Sequence, residues 1–253
     1  MYGRDEIFAR ERLVAGDAMM DALAHSRVIV FGVGGVGSWC CEALCRSGVG
    51  HLTLVDSDLV AVSNINRQLM ATTSTVGTPK VEALARRLLD INPGVDIVAR
   101  QEAYTAETAD SFDLGSYDYV IDAIDSLENK ALLILRATAA DTVFFSSMGA
   151  ARKLDPTKIG VAEFFKVEGC PLARALRTRF RRRATFPARK FKCVYSPETI
   201  PNRLETERPA EASADDSWTA SKAAVNGTFA HTTAVFGMTL AGLVVEDLYK
   251  KNL

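Results

Sequence analysis

Residues 27–38 read Arg27-Val28-Ile29-Val30-Phe31-Gly32-Val33-Gly34-Gly35-Val36-Gly37-Ser38. A short β-rich run ends in G-x-G-x-x-G and passes directly into a helical stretch that reaches about Ser47, with Gly48 placed as its stop. Glycines let a backbone turn tightly and approach phosphate oxygens, and a helix N-terminus offers free N–H groups with partial positive charge. Residues 51–55 (HLTLV) form a second strand ending at Asp56, 24 residues after Gly32. A carboxylate placed there can bind both hydroxyls of a ribose. Gly32, Gly34, Gly35, Gly37 and Asp56 are therefore the expected nucleotide-binding set, with a packing turn as the plain alternative. This set alone does not separate a dinucleotide from ATP.

Outward from this unit the same alternation continues. Residues 1–26 read as a helical prelude. Residues 80–91 have helical spacing and end at Asn92-Pro93-Gly94, and strands are expected at 95–99, 118–122 and 142–146 with a helix at about 127–140. Alternation of this kind predicts an α/β fold, a Rossmann-like and mostly parallel sheet with helices on both faces. After residue 150 the character changes. Strands are expected at 157–165 and 190–195, a basic helix at about 171–183, a mobile polar loop at 201–217 and an apolar helix within 223–245. The expected division is a helical segment at 1–26, a nucleotide-binding domain at 27–150, and an extension of that domain at 151–253 for substrate binding and dimerisation.

Composition narrows the function classes. The net charge of -1 excludes a global electrostatic attraction to nucleic acid, so such a partner needs a local basic patch. Five cysteines, three of them within 40–45, do not form a secreted disulfide framework. With no apolar signal core at the N-terminus, a cytoplasmic protein is expected. Asn226, His231 and several threonines interrupt the 223–245 stretch, which predicts a buried helix rather than a membrane span.

The segment after Asp56 discriminates between cofactors. It carries Asp58, then Asn64-Ile65-Asn66-Arg67-Gln68, then Lys80 at a helix start, and the fourth strand ends in Asp122-Ala123-Ile124-Asp125. A triphosphate needs cations beyond a glycine loop. Arg67 offers a planar fork for phosphate oxygens, Lys80 a point charge, and Asp125 a ligand for Mg2+ on those phosphates. Taken singly, Arg67 and Lys80 also read as solvated cations, and Asp122 and Asp125 as helix caps. Together, at strand ends where open α/β sheets bind ligands, they favour ATP.

This ordered set resembles the ubiquitin-activating-enzyme superfamily, which includes the bacterial molybdopterin- and thiamine-pathway adenylyltransferases. The resemblance covers about residues 10–150. It implies activation of a carboxylate by ATP, with Gly34 and Gly35 against the nucleotide, Asp56 on the ribose, Asn66, Arg67 and Lys80 on phosphates, and Asp125 holding Mg2+. Asp58, Gln68 and Asp122 complete the candidate cofactor set. It further implies a homodimer in which an N-terminal arginine reaches the partner's site. Arg10 is the candidate for that role, and Arg12 its rival.

The superfamily's zinc-bearing members carry two C-x-x-C pairs, which this chain lacks, so no structural zinc is expected. The later segments Leu154–Ile159, Cys170–Arg177 and Val194–Glu198 resemble the tRNA threonylcarbamoyladenosine dehydratases. That resemblance implies a tRNA partner and ring closure of N6-threonylcarbamoyladenosine at position 37. The cysteine that some members carry near Asn226-Gly227-Thr228-Phe229 is absent here. A cationic run supports RNA independently. Arg174, Arg177, Arg181, Arg182, Arg183, Lys190 and Lys192 are its candidate contacts, within a 174–192 stretch that has no acidic residue. The alternatives are a solvated basic face or a patch meeting the acidic loop at 205–216. Phe180, Phe186 and Phe191 are expected in the core rather than as base-stacking platforms. Cys193 is expected to be a small buried residue rather than a thioester nucleophile. Ala234, Gly237, Ala241 and Gly242 suggest close helix packing at a dimer interface. Two other functions remain open: an adenylyltransferase for the C-terminus of a small sulfur-carrier protein, and a non-catalytic RNA adaptor.

Overall fold

The fold is described from a computed structural model, over residues 2–204 and 226–252. Seven strands form one sheet: β1 (Arg27–Phe31), β2 (His51–Val55), β3 (Asp96–Arg100), β4 (Tyr119–Asp122), β5 (Val143–Ser147), β6 (Gly160–Glu163) and β7 (Lys192–Tyr195). Their order is β3-β2-β1-β4-β5-β7-β6, with every neighbouring pair parallel except β6–β7. The order reverses between β1 and β4, so a crevice opens beyond their C-terminal ends.

Alternation along β1 shows why both faces are covered. Val28 and Val30 enter one core, and Ile29 and Phe31 enter the other. The first core is closed by α2 (Ala9–His25), α3 (Gly37–Arg46), α4 (Lys80–Ile91) and α7 (Ala230–Lys251). The second is closed by α5 (Leu127–Ala139) and α6 (Pro171–Arg182). In α6 the buried Leu172, Ala173, Leu176 and Phe180 fall on one stripe, which leaves most of its arginines facing outward. The glycine loop lies between β1 and α3, and Gly48, at φ +85°, ends α3 in the left-handed conformation expected of a stop.

Several expected elements need correction. The prelude is two helices, α1 (Arg4–Ile7) and α2, and α2 is kinked at Gly16 where φ is +72°. The expected strand at 157–165 is only β6, flanked by 3-10 turns at Pro156–Lys158 and Phe164–Lys166. Asp155 explains the first turn, because its carboxylate accepts the Thr157 N–H and Pro156 fixes the entry. The apolar helix begins at Ala230 and continues through polar residues to Lys251. The expected mobile loop at 201–217 lies, from 205 onward, outside the described residues. No helix among the described residues is long and apolar enough to cross a membrane.

Two of the small residues of α7, Gly237 and Ala241, pack inside the chain. A Cβ on Gly237 would lie 2.4 Å from the Val36 carbonyl oxygen and 2.8 Å from the Cys40 nitrogen, so α7 seats against the first turn of α3. Ala241 is buried beside it, whereas nothing lies within 4 Å of a Cβ on Gly242. Burial of Phe236, Leu240, Leu243 and Val244 along the same helix stabilises this seat by roughly 1.5–3 kcal/mol per side chain. Gly237→Ala is expected to lower stability by about 1–3 kcal/mol in urea unfolding, because backbone on the far side cannot yield as a side chain would. A cost within error of zero contradicts the contact.

Candidate active site

The crevice beyond β1, β2, β4 and β5 is a cleft of about 560 Å³. Gly32, Gly34 and Gly35 form one wall, Asp56, Asp58 and Lys80 a second, and Arg67 and Gln68 a third. Asp125 lines it from the turn after β4. A wider groove of about 1100 Å³ lies at the other, N-terminal edge of the strands, lined by Asp118, Thr142 and Lys192 among others. It has neither the glycine loop nor the C-terminal ends of the parallel strands, so size does not decide between them and chemistry selects the smaller cleft.

The glycine wall is shaped for an anion. Gly32 takes φ +82°, and a Cβ there would meet the Ala123 carbonyl oxygen at 2.8 Å. The Val33 N–H donates to Asp56 Oδ2 at 2.9 Å. The N–H groups of Gly34, Gly35 and Val36 make no hydrogen bond within the described residues. Free amides at the start of α3 are the donors that phosphate oxygens accept from. Ser38 holds the turn from behind, donating to the Gly34 carbonyl at 2.6 Å and accepting the Leu69 N–H at 3.2 Å.

Lys80 is buried at 5% exposure, and its Nζ lies 2.7 Å from Asp58 Oδ2 and 3.6 Å from Asp56 Oδ1. Burial raises the Asp56 carboxyl above the ordinary carboxylate range, while Lys80 and the N–H groups of Asp58 and Val33 pull it partly back. Arg67 is half-buried and donates from Nη1 to the Ser63 carbonyl at 2.8 Å and to Asn66 Oδ1 at 2.9 Å. Asn66 stands behind it and donates to the Thr228 carbonyl at 3.0 Å. Gln68 and Tyr104 line this cleft; the Gln68 Oε1 is buried with no hydrogen-bond partner among the described residues, whereas the Tyr104 hydroxyl is buried beside Arg136. An orphan such as Gln68 Oε1 calls for a ligand or water to satisfy it.

Three expected ligands do not line the cleft. Gly37 is a packing residue, since a Cβ there would fall 1.8 Å from the Gly32 carbonyl oxygen. Asn66 is one layer back. Asp122 is fully buried and bound to Lys130, Ser146 and the Ile124 N–H. Arg10 is exposed on the first turn of α2 and does not line its own chain's cleft. Its rival Arg12 is engaged with Asp17 and lies 3.8 Å from Asp5. Sequence reading missed Tyr104, Asn129, Thr228 and Thr233, which also line the cleft. Thr233 arrives from α7, where a Cβ on Gly35 would sit 3.3 Å from its Cγ2. Tyr104 follows the end of β3, and that position past a strand C-terminus was the available signal.

The cationic run divides into two groups. Arg174, Arg181, Arg182, Arg183, Lys190 and Lys192 are exposed. Arg177 is instead structural, donating to the carbonyls of Phe164 at 3.2 Å and Val167 at 2.8 Å. Arg179 binds Glu128 at the start of α5, and Arg183 lies 3.7 Å from the same carboxylate. This anchors the basic end of α6 one residue away from the cleft residue Asn129. Phe180 and Phe191 are core residues and Phe186 is exposed. Cys193 is fully buried, and burial pushes its thiol well above the ordinary value, which removes it as a nucleophile.

Fold and cleft together define a Rossmann-like nucleotide-binding α/β protein with Arg67 and Lys80 in its cleft. The ThiF family profile covers residues 8–252, and the chain belongs to that family. It is 38% identical over 243 residues to the Bacillus subtilis tRNA threonylcarbamoyladenosine dehydratase, covering 96% of this chain and 94% of that one. Its fold matches a crystal structure of the Escherichia coli tRNA N6-threonylcarbamoyladenosine dehydratase, TcdA, in complex with ATP. There the TM-score is 0.84 and the identity 30%, over 98% of this chain and 95% of that one. The Escherichia coli molybdopterin-synthase adenylyltransferase is 35% identical over only 135 residues, 53% of each chain.

The raised Asp56 carboxyl has a consequence for stability. The folded protein binds this proton more tightly than the unfolded chain. The resulting stabilisation is present at low pH and is lost as pH rises through the ordinary carboxylate range to the raised value. Asp56→Asn removes that loss. The melting temperature of the variant minus that of the wild type is expected to grow from about pH 4 to about pH 7, measured by differential scanning calorimetry. A difference that shrinks over this range contradicts the burial argument.

Proposed function

We propose that this protein is an ATP-dependent dehydratase that closes the threonylcarbamoyl side chain of N6-threonylcarbamoyladenosine at position 37 of tRNA into a ring. The observation that carries the reading is the convergence of Arg67, Lys80, Asp56 and Asp125 on the free amides of the glycine loop. Its full-length similarity to the Bacillus and Escherichia enzymes supports the substrate. The cleft fits ATP, since free amides and an arginine suit phosphates, a buried carboxylate suits a ribose, and the orphaned Gln68 Oε1 suits a further polar contact.

A carboxylate resists nucleophiles because it is negatively charged and oxide is a poor leaving group. In the proposed reaction the threonine carboxylate attacks the α-phosphorus of ATP and pyrophosphate leaves. The carbamoyl group of the same nucleoside then attacks the activated acyl carbon, AMP leaves with one carboxylate oxygen, and a carbamoyl N–H proton is lost, so the nucleoside loses one water. The second attack is intramolecular, and its high effective molarity removes the need for a protein nucleophile. The glycine-loop amides and the α3 N-terminus hold phosphate oxygens, and Arg67 and Lys80 neutralise charge that develops on them. Asp125 would hold Mg2+, which supplies Lewis-acid charge at the phosphates. One carboxylate among the acids that line the cleft fits that ion, which is commonly held by one or two carboxylates together with substrate phosphates. The exposed Arg174, Arg181, Arg182, Arg183, Lys190 and Lys192 would bind the RNA backbone, and the enzyme would work on tRNA in the cytoplasm.

The deciding experiment incubates the protein with ATP, magnesium and tRNA carrying threonylcarbamoyladenosine, then weighs the digested nucleosides. A mass lower by one water, with AMP released, is expected. Pyrophosphate release that only a carrier protein stimulates transfers the function to a sulfur-carrier adenylyltransferase. Asp125→Ala is expected to abolish turnover and leave tRNA binding intact. Charge reversal at Arg181, Arg182 and Arg183 is expected to weaken tRNA binding and flatten its salt dependence, as read by filter binding.

The same reading makes the enzyme a homodimer with Arg10 acting on the partner's cleft. Support comes from the exposure of Arg10 beside two apolar residues, Leu13 at 87% and Val14 at 79%, which a partner would cover. Arg10→Ala and Asp125→Ala are each expected to be inactive, yet a mixture allowed to exchange subunits recovers about a quarter of the wild-type rate, from the one site per mixed dimer that has both groups. No recovery on mixing places Arg10 outside the catalytic machinery.

A further inference from the structure

We infer that Asp122 and Lys130 form a buried positioning clamp that sets the Asp125 turn against the glycine loop, and so determines how well magnesium is held there. The inference rests on the reading of Asp125 as the magnesium residue. Asp122 ends β4 and Lys130 lies on the first turns of α5, and both are 0% exposed. Lys130 Nζ lies 2.8 Å from Asp122 Oδ2, which also accepts from Ser146 Oγ at 2.7 Å. The remaining hydrogen bonds of the pair converge on one residue. Asp122 Oδ1 accepts the Ile124 N–H at 3.0 Å, and Lys130 Nζ donates to the Ile124 carbonyl at 3.0 Å. Ile124 immediately precedes Asp125, so both backbone polar groups at the root of that residue are fixed by a charge pair.

Stability alone does not explain this arrangement. A buried ion pair loses hydration that its attraction only partly restores, and a matched apolar replacement is often neutral or stabilising. Lys130 also places a cation near the N-terminal end of α5, where the helix dipole disfavours it. Burial raises the Asp122 carboxyl, with Lys130 and the hydrogen bonds acting against that rise. What the pair provides is geometry. The Ala123 N–H extends the β1 ladder to the Phe31 carbonyl at 2.8 Å, and the Ala123 carbonyl oxygen lies against Gly32 with no space for a Cβ. The turn is therefore registered on one side against the glycine loop and on the other against α5 and β5. Neither Asp122 nor Lys130 lines the cleft, so the clamp acts only through the turn it holds.

The test measures binding of a non-hydrolysable ATP analogue by calorimetry across a magnesium titration, for wild type, Asp125→Asn and the double variant Asp122→Asn/Lys130→Met. The double variant removes both charges at once and leaves neither buried alone. It is expected to keep its magnesium-free affinity and to need about 10- to 100-fold more magnesium for the same tightening, the usual cost of losing an outer support of a metal ligand. Lys130→Arg, which keeps a charged donor, is expected to lie between it and wild type. If the double variant does not fold, Ser146→Ala carries the test, because it removes one donor to Asp122 without unpairing a charge, and a smaller shift in the same direction is expected. A wild-type magnesium response in the folded clamp variant, alongside a lost response in Asp125→Asn, overturns the clamp and leaves the metal assignment standing. A wild-type response in Asp125→Asn overturns the metal assignment, and the clamp with it.

Discussion

Everything at this site depends on backbone meeting backbone where a side chain would not fit. Gly32 abuts the Ala123 carbonyl, Gly37 abuts Gly32, and Gly237 abuts Val36. These contacts bring β1, β4, α3 and α7 to one point and hold the loop in a turn whose amides remain unspent. A turn padded by side chains would sit farther from its neighbours and point its N–H groups less uniformly at one place. The anion cradle is therefore a by-product of packing density, and its donors need no rearrangement when charge arrives.

Around that cradle the charges are balanced rather than simply positive. Lys80 is buried between Asp56 and Asp58, and Arg67 is directed by Asn66 and the Ser63 carbonyl. Each cation already has acceptors, so the site tolerates its own burial before a nucleotide enters. Asp56 bears the opposite burden. Its carboxyl is held in a dry position, and burial raises it above the ordinary carboxylate range.

The parallel core and the glycine turn were legible in the sequence because both follow from local rules: strand-length apolar runs, helical spacing, and glycines at a strand–helix junction. Asp56, Arg67, Lys80 and Asp125 were legible for the same reason, as polar residues just past strand or helix boundaries. Asp122 was misread because sequence spacing cannot tell which of two aspartates three residues apart faces solvent, and its partner Lys130 reads as an ordinary helix cation. Thr233 and Gly237 were out of reach because their contacts span about two hundred residues of chain, which no local pattern encodes. The 157–165 stretch failed as a single strand because one carboxylate, Asp155, captured a backbone amide and made a turn. In the basic run, charge counting could not separate Arg177, which holds two carbonyls, from its exposed neighbours.

The seat of α7 on α3 also fixes an order of events during synthesis. The helix at the glycine loop is made early, while the helix that supports it follows much later in the chain. A nascent or truncated chain can pair β1 through β5 and still lack the Phe236, Leu240 and Val244 packing that locks the first turn of α3. The first turn of α3 thus reaches its final packing only once α7 has been made.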